Sequence, residues 1–264
     1  MPDIFLHVPK TGGTTLATTL RWVYGPRSCH QYTPDRPEDH KAFLASLYHA
    51  PHEPDLLMGH VQWGLHRYVD AECRYFTLLR HPVRRRISEY YYLKGCYPDS
   101  YGASLTLKEF VRSDHPMARS NDQVRYLSGV DPDQSPTQAL EKAKNHLTGD
   151  VVFGLTERFY ESLLLLRRRL NWTRPPFYVS SNKNRTRPTL EDLSPDIGNV
   201  VRDQHQLDLE LYQWAQSHFQ EMLETEFSSL PRTRRRFHRQ NRWIQAIAPS
   251  LLWMYRSARS LMQT

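Results

Sequence analysis

The run Pro9-Lys10-Thr11-Gly12-Gly13-Thr14-Thr15 gathers the means of gripping an anion into seven residues. It follows the apolar segment 4–8 and precedes Leu16, Leu20 and Val23, which are spaced for one face of a helix. A strand, a glycine-containing turn and a helix make a phosphate-binding layout. The glycines let backbone N–H groups crowd an anion, and the helix N-terminus adds partial positive charge. Lys10 adds a full charge, and Thr14 and Thr15 add hydroxyl donors. The order is not that of the nucleotide-triphosphate loop, where the lysine comes last, directly before Ser or Thr at the helix start. A tight turn with a solvated lysine accounts for the same residues, so a second feature has to decide between the two.

That feature is the stretch TLLRHPVRRRISEYYYL, residues 77–93. It puts Arg80 just past a strand and Ser88 eight residues on, in a helix opened by Pro82. The bend at His81-Pro82 lets the two side chains converge on one anion. Arginine supplies a forked, permanently charged grip and serine a single hydroxyl. Arg84, Arg85, Arg86 and Glu89 read as a solvated face, and Tyr90, Tyr91 and Tyr92 as packing residues.

A proton acceptor is offered by His60 in LLMGHVQW, at a strand end where open α/β sheets bind ligands. An imidazole titrating near neutrality suits general-base work on a hydroxyl. His7, His66 and His81 are its rivals. His7 lies within a strand and reads as structural, and His81 sits beside the Arg80 clamp. In NDQVRYLSG, residues 121–129, Asn121, Gln123 and Arg125 either face a groove or, for Asn121, cap a helix.

Elements must carry these residues. Strands are expected at 4–8, 55–61, 74–79 and 151–155. Helices are expected at 14–24, 38–49, 82 to about 94, 105–113, 137–147, 157 to about 170, and 203–227. Segments 26–39, 95–103 and 182–188 read as loops. Alternation of strands and helices implies an α/β fold with a central, mostly parallel sheet flanked by helices.

The net charge of +7 is unevenly placed. Residues 231–264 hold eight arginines and no acidic residue, which leaves 27 Lys+Arg against 28 Asp+Glu in 1–230. The basicity belongs to the tail, so no nucleic-acid partner is expected for the body. The chain therefore divides into a domain, 1–230, and a basic amphipathic tail, 231–264. The tail carries Ile244, Ile247, Leu251, Tyr255 and Met262 on roughly one face. Such a helix suits peripheral contact with an anionic membrane; the alternatives are a poorly ordered terminus, or a helix docked on the body or on a second subunit. Cys29, Cys73 and Cys96 show neither disulfide nor zinc spacing, and the first apolar run is too short for a signal peptide. A cytoplasmic location is the expectation.

Taken as a pair, PKTGGTT and LLRHPVRRRISEYYY resemble the two nucleotide-binding motifs of sulfotransferases that use 3′-phosphoadenosine 5′-phosphosulfate. The resemblance covers residues 4–230. It is strongest to the carbohydrate branch containing heparan sulfate 2-O-sulfotransferase and its bacterial relatives. NDQVRYLSG and VVFGLTERFYESL also resemble segments common there. The resemblance implies a P-loop-like, nucleotide-kinase-like fold and O-sulfonation of a carbohydrate or lipid-linked glycan. It further implies that Lys10 contacts the bridging and sulfonate oxygens, that Thr11, Gly12, Gly13, Thr14 and Thr15 wrap the 5′-phosphate, and that Arg80 and Ser88 hold the 3′-phosphate. Arg185, in the basic loop 183–187, is expected to close over the nucleotide. His60 maps onto the proposed base of that group, which often has a second His where this chain has Met58. No metal is expected, because the chain offers no carboxylate cluster. Two other classes fit parts of the pattern: a kinase-like phosphotransferase needing ATP and magnesium, and a non-catalytic polyanion-binding protein driven by the tail.

Overall fold

The computed structural model describes residues 1–25, 29–32, 55–69, 71–113, 119–178 and 192–242, with 29–32 as backbone. Five strands form one sheet: β1 (Asp3–Leu6), β2 (Cys29–Tyr32), β3 (Leu56–Gly59), β4 (Arg74–Leu79) and β5 (Val151–Leu155). Their order is β2-β3-β1-β4-β5, and every pairing is parallel. β1 is therefore central, with Phe5 beside Met58 of β3 on one side and Phe76 of β4 on the other. β2 lies inside the segment expected to be a loop. Its sequence CHQY has no apolar alternation, so its pairing with β3 depends on backbone hydrogen bonds that periodicity does not report.

The described helices of six residues or more are α1 (Gly13–Tyr24), α2 (Pro82–Cys96), α3 (Leu107–Arg112), α4 (Asp122–Ser128), α5 (Pro136–Gly149), α6 (Phe159–Arg169), α7 (Pro195–Gln204) and α8 (Gln206–Glu226), with a helix over 230–242. Successive strand residues point to opposite faces, so each strand feeds two cores. Ile4, Leu6, Leu57, Tyr75 and Phe153 pack with α4, α5 and α8. Phe5, Leu56, Met58, Phe76 and Leu78 pack with α1 and α6. The helix at 203–227 expected from the sequence is divided at His205, which separates α7 from α8. The helix at 230–242 lies on the body, with Phe237 buried in the α1–α6 core and the Asn241 side chain accepting the Tyr178 N–H at 3.1 Å. The expected helix at 38–49 and the rest of the tail, 243–264, lie outside the described residues. Among the described residues no helix is long and apolar enough to cross a membrane.

One expectation about α2 fails. Arg84 is exposed, but Arg85 and Arg86 are wholly buried and Glu89 is 2% exposed. Arg85 donates to Glu89 at 2.8 Å and lies 3.4 Å from Asp122 of α4, and Arg86 lies 3.6 Å from Glu89. Burial pushes the Glu89 carboxyl up to about 7, against the pull of Arg85 and Arg86. A run of arginines on a helix looks solvated in isolation. Here α3, α4 and α8 close over it, and the ion pairs follow from that closure.

Glu89 is the carboxylate both arginines share, so its removal strands buried charge. Glu89→Ala is expected to cost about 3–5 kcal/mol in urea unfolding. A loss below about 1 kcal/mol would mean that Asp122 alone suffices for both.

Candidate active site

Strand order brings the chemistry together. Along the carboxyl edge, β3 is followed by His60, β1 runs into the Lys10 loop, β4 is followed by Arg80 and β5 by Thr156. These four ends are neighbours, so residues far apart in sequence line one edge, where open α/β sheets bind ligands.

The Lys10 loop turns sharply. Lys10 has φ 68° and Gly12 φ 89°, both in the left-handed region. That costs a non-glycine residue such as Lys10 about 1–2 kcal/mol. The two glycines serve different needs. Gly12 is required by its φ, since a Cβ there would meet nothing closer than Thr156 Cγ2 at 3.4 Å. Gly13 is required by space: a Cβ would lie 1.8 Å from His7 Nε2. Gly13 opens α1, and the early N–H groups of a helix have no intrahelical acceptor. An anion seated there would meet them. Thr14 is exposed and Thr15 half-buried. Thr11 is fully buried and its hydroxyl donates to the Val8 carbonyl at 2.8 Å, so only its N–H is left for an anion.

Lys10 and Arg80 come together. The Arg80 Nη1 donates to the Lys10 carbonyl at 2.9 Å, while the Lys10 ammonium stands 3.5 Å from the centre of the Tyr92 ring. That cation–π contact keeps the ammonium at the mouth of the loop. Thr156 Oγ1 lies between the carbonyls of Thr11, at 2.5 Å, and Leu79, at 2.9 Å. It ties the end of β4 to the loop and was not foreseen; a threonine at a strand's carboxyl end was its only sign. Ser88 lies two turns into α2 and is 3% exposed. Arg185 lies outside the described residues.

His60 stacks on His7 with ring centres 4.3 Å apart, and His7 stacks on Phe5 at 5.2 Å. The His60 Nδ1 is 2.8 Å from the His7 carbonyl. A carbonyl can only accept, so Nδ1 carries the proton and the neutral ring keeps its lone pair on Nε2. Burial lowers the pKa of His60, helped by the Lys10 charge and opposed by the bond to His7. His7 is pushed down to about 3 by burial, then by His60 and Lys10. Both rings are neutral at physiological pH.

The rings of His66 and His81 pack against other aromatic side chains. His66 pairs with the Tyr75 hydroxyl at 2.9 Å and packs edge-on against Trp63. His81 packs edge-on against Tyr212, and its backbone N–H donates to Glu157 at 3.2 Å. Asn121, at the cap of α4, and Gln123 and Arg125 within it are engaged by other residues. The Asn121 side chain accepts the Asp208 N–H at 3.1 Å, and Arg125 pairs with Asp131 and, at 2.7 Å, with Asp133. Gln123 is 1% exposed, and its amide is engaged with the Arg80 backbone.

A family model described as galactose-3-O-sulfotransferase matches residues 4–248. The chain belongs to that family. The galactose-3-O-sulfotransferase match begins at β1 and takes in the helix at 230–242. Heparan-sulfate 6-O-sulfotransferase 1 of Cricetulus griseus is 28% identical over 279 residues, which cover 83% of this chain and 67% of that relative. Heparan-sulfate 6-O-sulfotransferase 3 of Mus musculus is 27% identical over 278 residues, covering 83% of this chain and 57% of the relative. The chain thus spans about two thirds or less of the length of these curated relatives. Among solved structures, mouse sulfotransferase SULT7A1 complexed with PAP aligns with a TM-score of 0.47 and 14% identity, over 81% of this chain and 89% of that one. The motifs at 9–15 and 78–92 therefore occur in a chain whose family is that of carbohydrate sulfotransferases, as their resemblance implies.

The contact between Gly13 and His7 can be tested by a mutant cycle. Gly13→Ala is expected to lose about 1–3 kcal/mol of stability through overpacking. In a His7→Ala background the same change should cost less than about 0.5 kcal/mol, because the ring it strikes is gone. Equal costs in both backgrounds, measured by denaturant unfolding, would show that the clash is relieved some other way.

Proposed function

We propose that this protein transfers a sulfonate group from 3′-phosphoadenosine 5′-phosphosulfate to a hydroxyl of a carbohydrate. The observation that carries the reading is the bond from Arg80 to the Lys10 carbonyl, which makes one cationic edge of two motifs. A donor with charge at both its 3′ and 5′ positions needs two grips, one per phosphate. The early N–H groups of α1, with Gly12 and Gly13, fit the 5′ end. Arg80 fits the 3′ end, and the resemblance assigns Ser88 to the same phosphate. The resemblance assigns Arg185 to nucleotide binding as well.

In the transfer, the acceptor oxygen forms a bond to sulfur as the bond from sulfur to the 5′-phosphate oxygen breaks. Charge grows on that leaving oxygen. Lys10 supplies a cation there, worth most where water is excluded. The acceptor proton goes to His60 Nε2, the nitrogen left with a lone pair by the bond from Nδ1 to the His7 carbonyl. No step requires a metal, since a sulfonate carries a single negative charge. The glycan acceptor is supported by the family match and by relatives named for heparan sulfate.

Three measurements test this reading. Adenosine 3′,5′-bisphosphate is expected to raise the melting temperature more than AMP or ATP does. A larger ATP shift that depends on magnesium would favour a kinase-like reaction. Lys10→Ala is expected to lower kcat by about 100-fold or more, and near-full turnover in that variant would remove the lysine from the mechanism. Because burial depresses the pKa of His60, it protonates only below the usual value of 6.5. The acidic limb of kcat/KM is therefore expected below pH 6.5, with activity level from there through neutrality. A limb centred above pH 7 would rule His60 out as the base.

A further inference from the structure

We infer that Gln123 is a positioning residue for the Arg80 clamp, and so sets how well the site distinguishes a 3′-phosphorylated nucleotide from one without that phosphate. This rests on the assignment of Arg80 to the 3′-phosphate. β4 stops pairing with β5 at Leu79, so the next peptide has left the ladder. At Arg80 one side chain takes over both of its backbone groups. The Arg80 N–H donates to Gln123 Oε1 at 2.8 Å, and Gln123 Nε2 donates to the Arg80 carbonyl at 2.9 Å. A primary amide is suited to this, having a donor and an acceptor side by side, as a neighbouring strand would. The amide is 1% exposed, so water does not readily replace it.

Gln123 is itself fixed. Its backbone N–H and that of Val124 donate to the two oxygens of Asp208, at 3.3 and 2.9 Å. Asp208 belongs to α8 and is fully buried. It does for α4 what a capping side chain would do, because Asn121, at the cap position, makes no such bond and instead accepts the Asp208 N–H. The chain of contacts runs from α8 through α4 to the backbone of Arg80. At the other end, the Lys10 carbonyl holds the guanidinium. Arg80 is thus fixed at its backbone by Gln123 and at its tip by the Lys10 loop. With the first support gone, the guanidinium keeps its charge and loses its aim. Binding of the 3′-phosphate should then suffer while binding at the 5′ end does not.

The test measures dissociation constants for adenosine 3′,5′-bisphosphate and for AMP in the full chain. Gln123→Met keeps the volume and removes both hydrogen bonds. It is expected to weaken bisphosphate binding about tenfold and AMP binding less than about twofold. Gln123→Glu keeps the acceptor for the Arg80 N–H and should lie between wild type and Gln123→Met. The ratio is read on whichever of the two variants folds. Arg80→Ala is the reference and should lower the ratio at least as much. Gln123→Met added to Arg80→Ala should lower it no further. An unchanged ratio in the Gln123 variants, with Arg80→Ala lowering it, overturns the inference, as does an equal loss for both nucleotides. If Arg80→Ala itself leaves the ratio unchanged, the phosphate assignment fails instead.

Discussion

A hydrogen bond from the Arg80 guanidinium to the Lys10 carbonyl joins the ends of β4 and β1, and the geometry of the site depends on it. The loop it reaches is held in a backbone conformation unfavourable for lysine. Thr156 reinforces the same join from β5 by standing between the Thr11 and Leu79 carbonyls. Two cations on one edge repel each other. The carbonyl offsets part of that cost by accepting from Arg80, and the Tyr92 ring offsets part by facing the Lys10 ammonium. What remains is an edge that gains most from a ligand carrying several negative charges.

Below that edge, α2 brings Arg85, Arg86 and Glu89 into the interior, against Asp122 of α4. Buried ion pairs contribute little net stability, because desolvation cancels much of their attraction. Their consequence is alignment. A helix whose buried charges must meet particular partners has few alternative positions, and α2 is the helix that begins beside Arg80 and ends beyond Tyr92. Asp208 acts in the same way on α4. Its carboxylate receives two N–H groups at the start of that helix and holds it where the Gln123 amide meets the Arg80 peptide.

His60 depends on the end of β1 as much as the Lys10 loop does. The carbonyl of His7 selects which His60 nitrogen carries the proton, and the His7 ring stacks on the imidazole and occupies the space over Gly13. The residue that fixes the tautomer of His60 thus also explains why α1 opens with a glycine. The Lys10 loop and His60 are connected through this one residue just past the central strand.

Much of the site was legible in the sequence, because its parts are local. The strand–turn–helix order around Lys10, the place of Arg80 just past β4 and the strand-end position of His60 are short-range patterns, and periodicity located β1, β3, β4 and β5 with most of the helices between them. Tertiary structure alone decided the rest. β2 has no alternation and exists through its pairing with β3. Arg85, Arg86 and Glu89 read as solvated because a single helix cannot show which neighbours will close over it. Gln123 and Thr156 are ordinary polar residues until the fold brings them to Arg80 and Thr11. Sequence determines which residues carry charge and which segments are amphipathic. Which charge meets which partner depends on strand order, which couples residues 10, 60, 80, 123 and 156 across distances that no local pattern records.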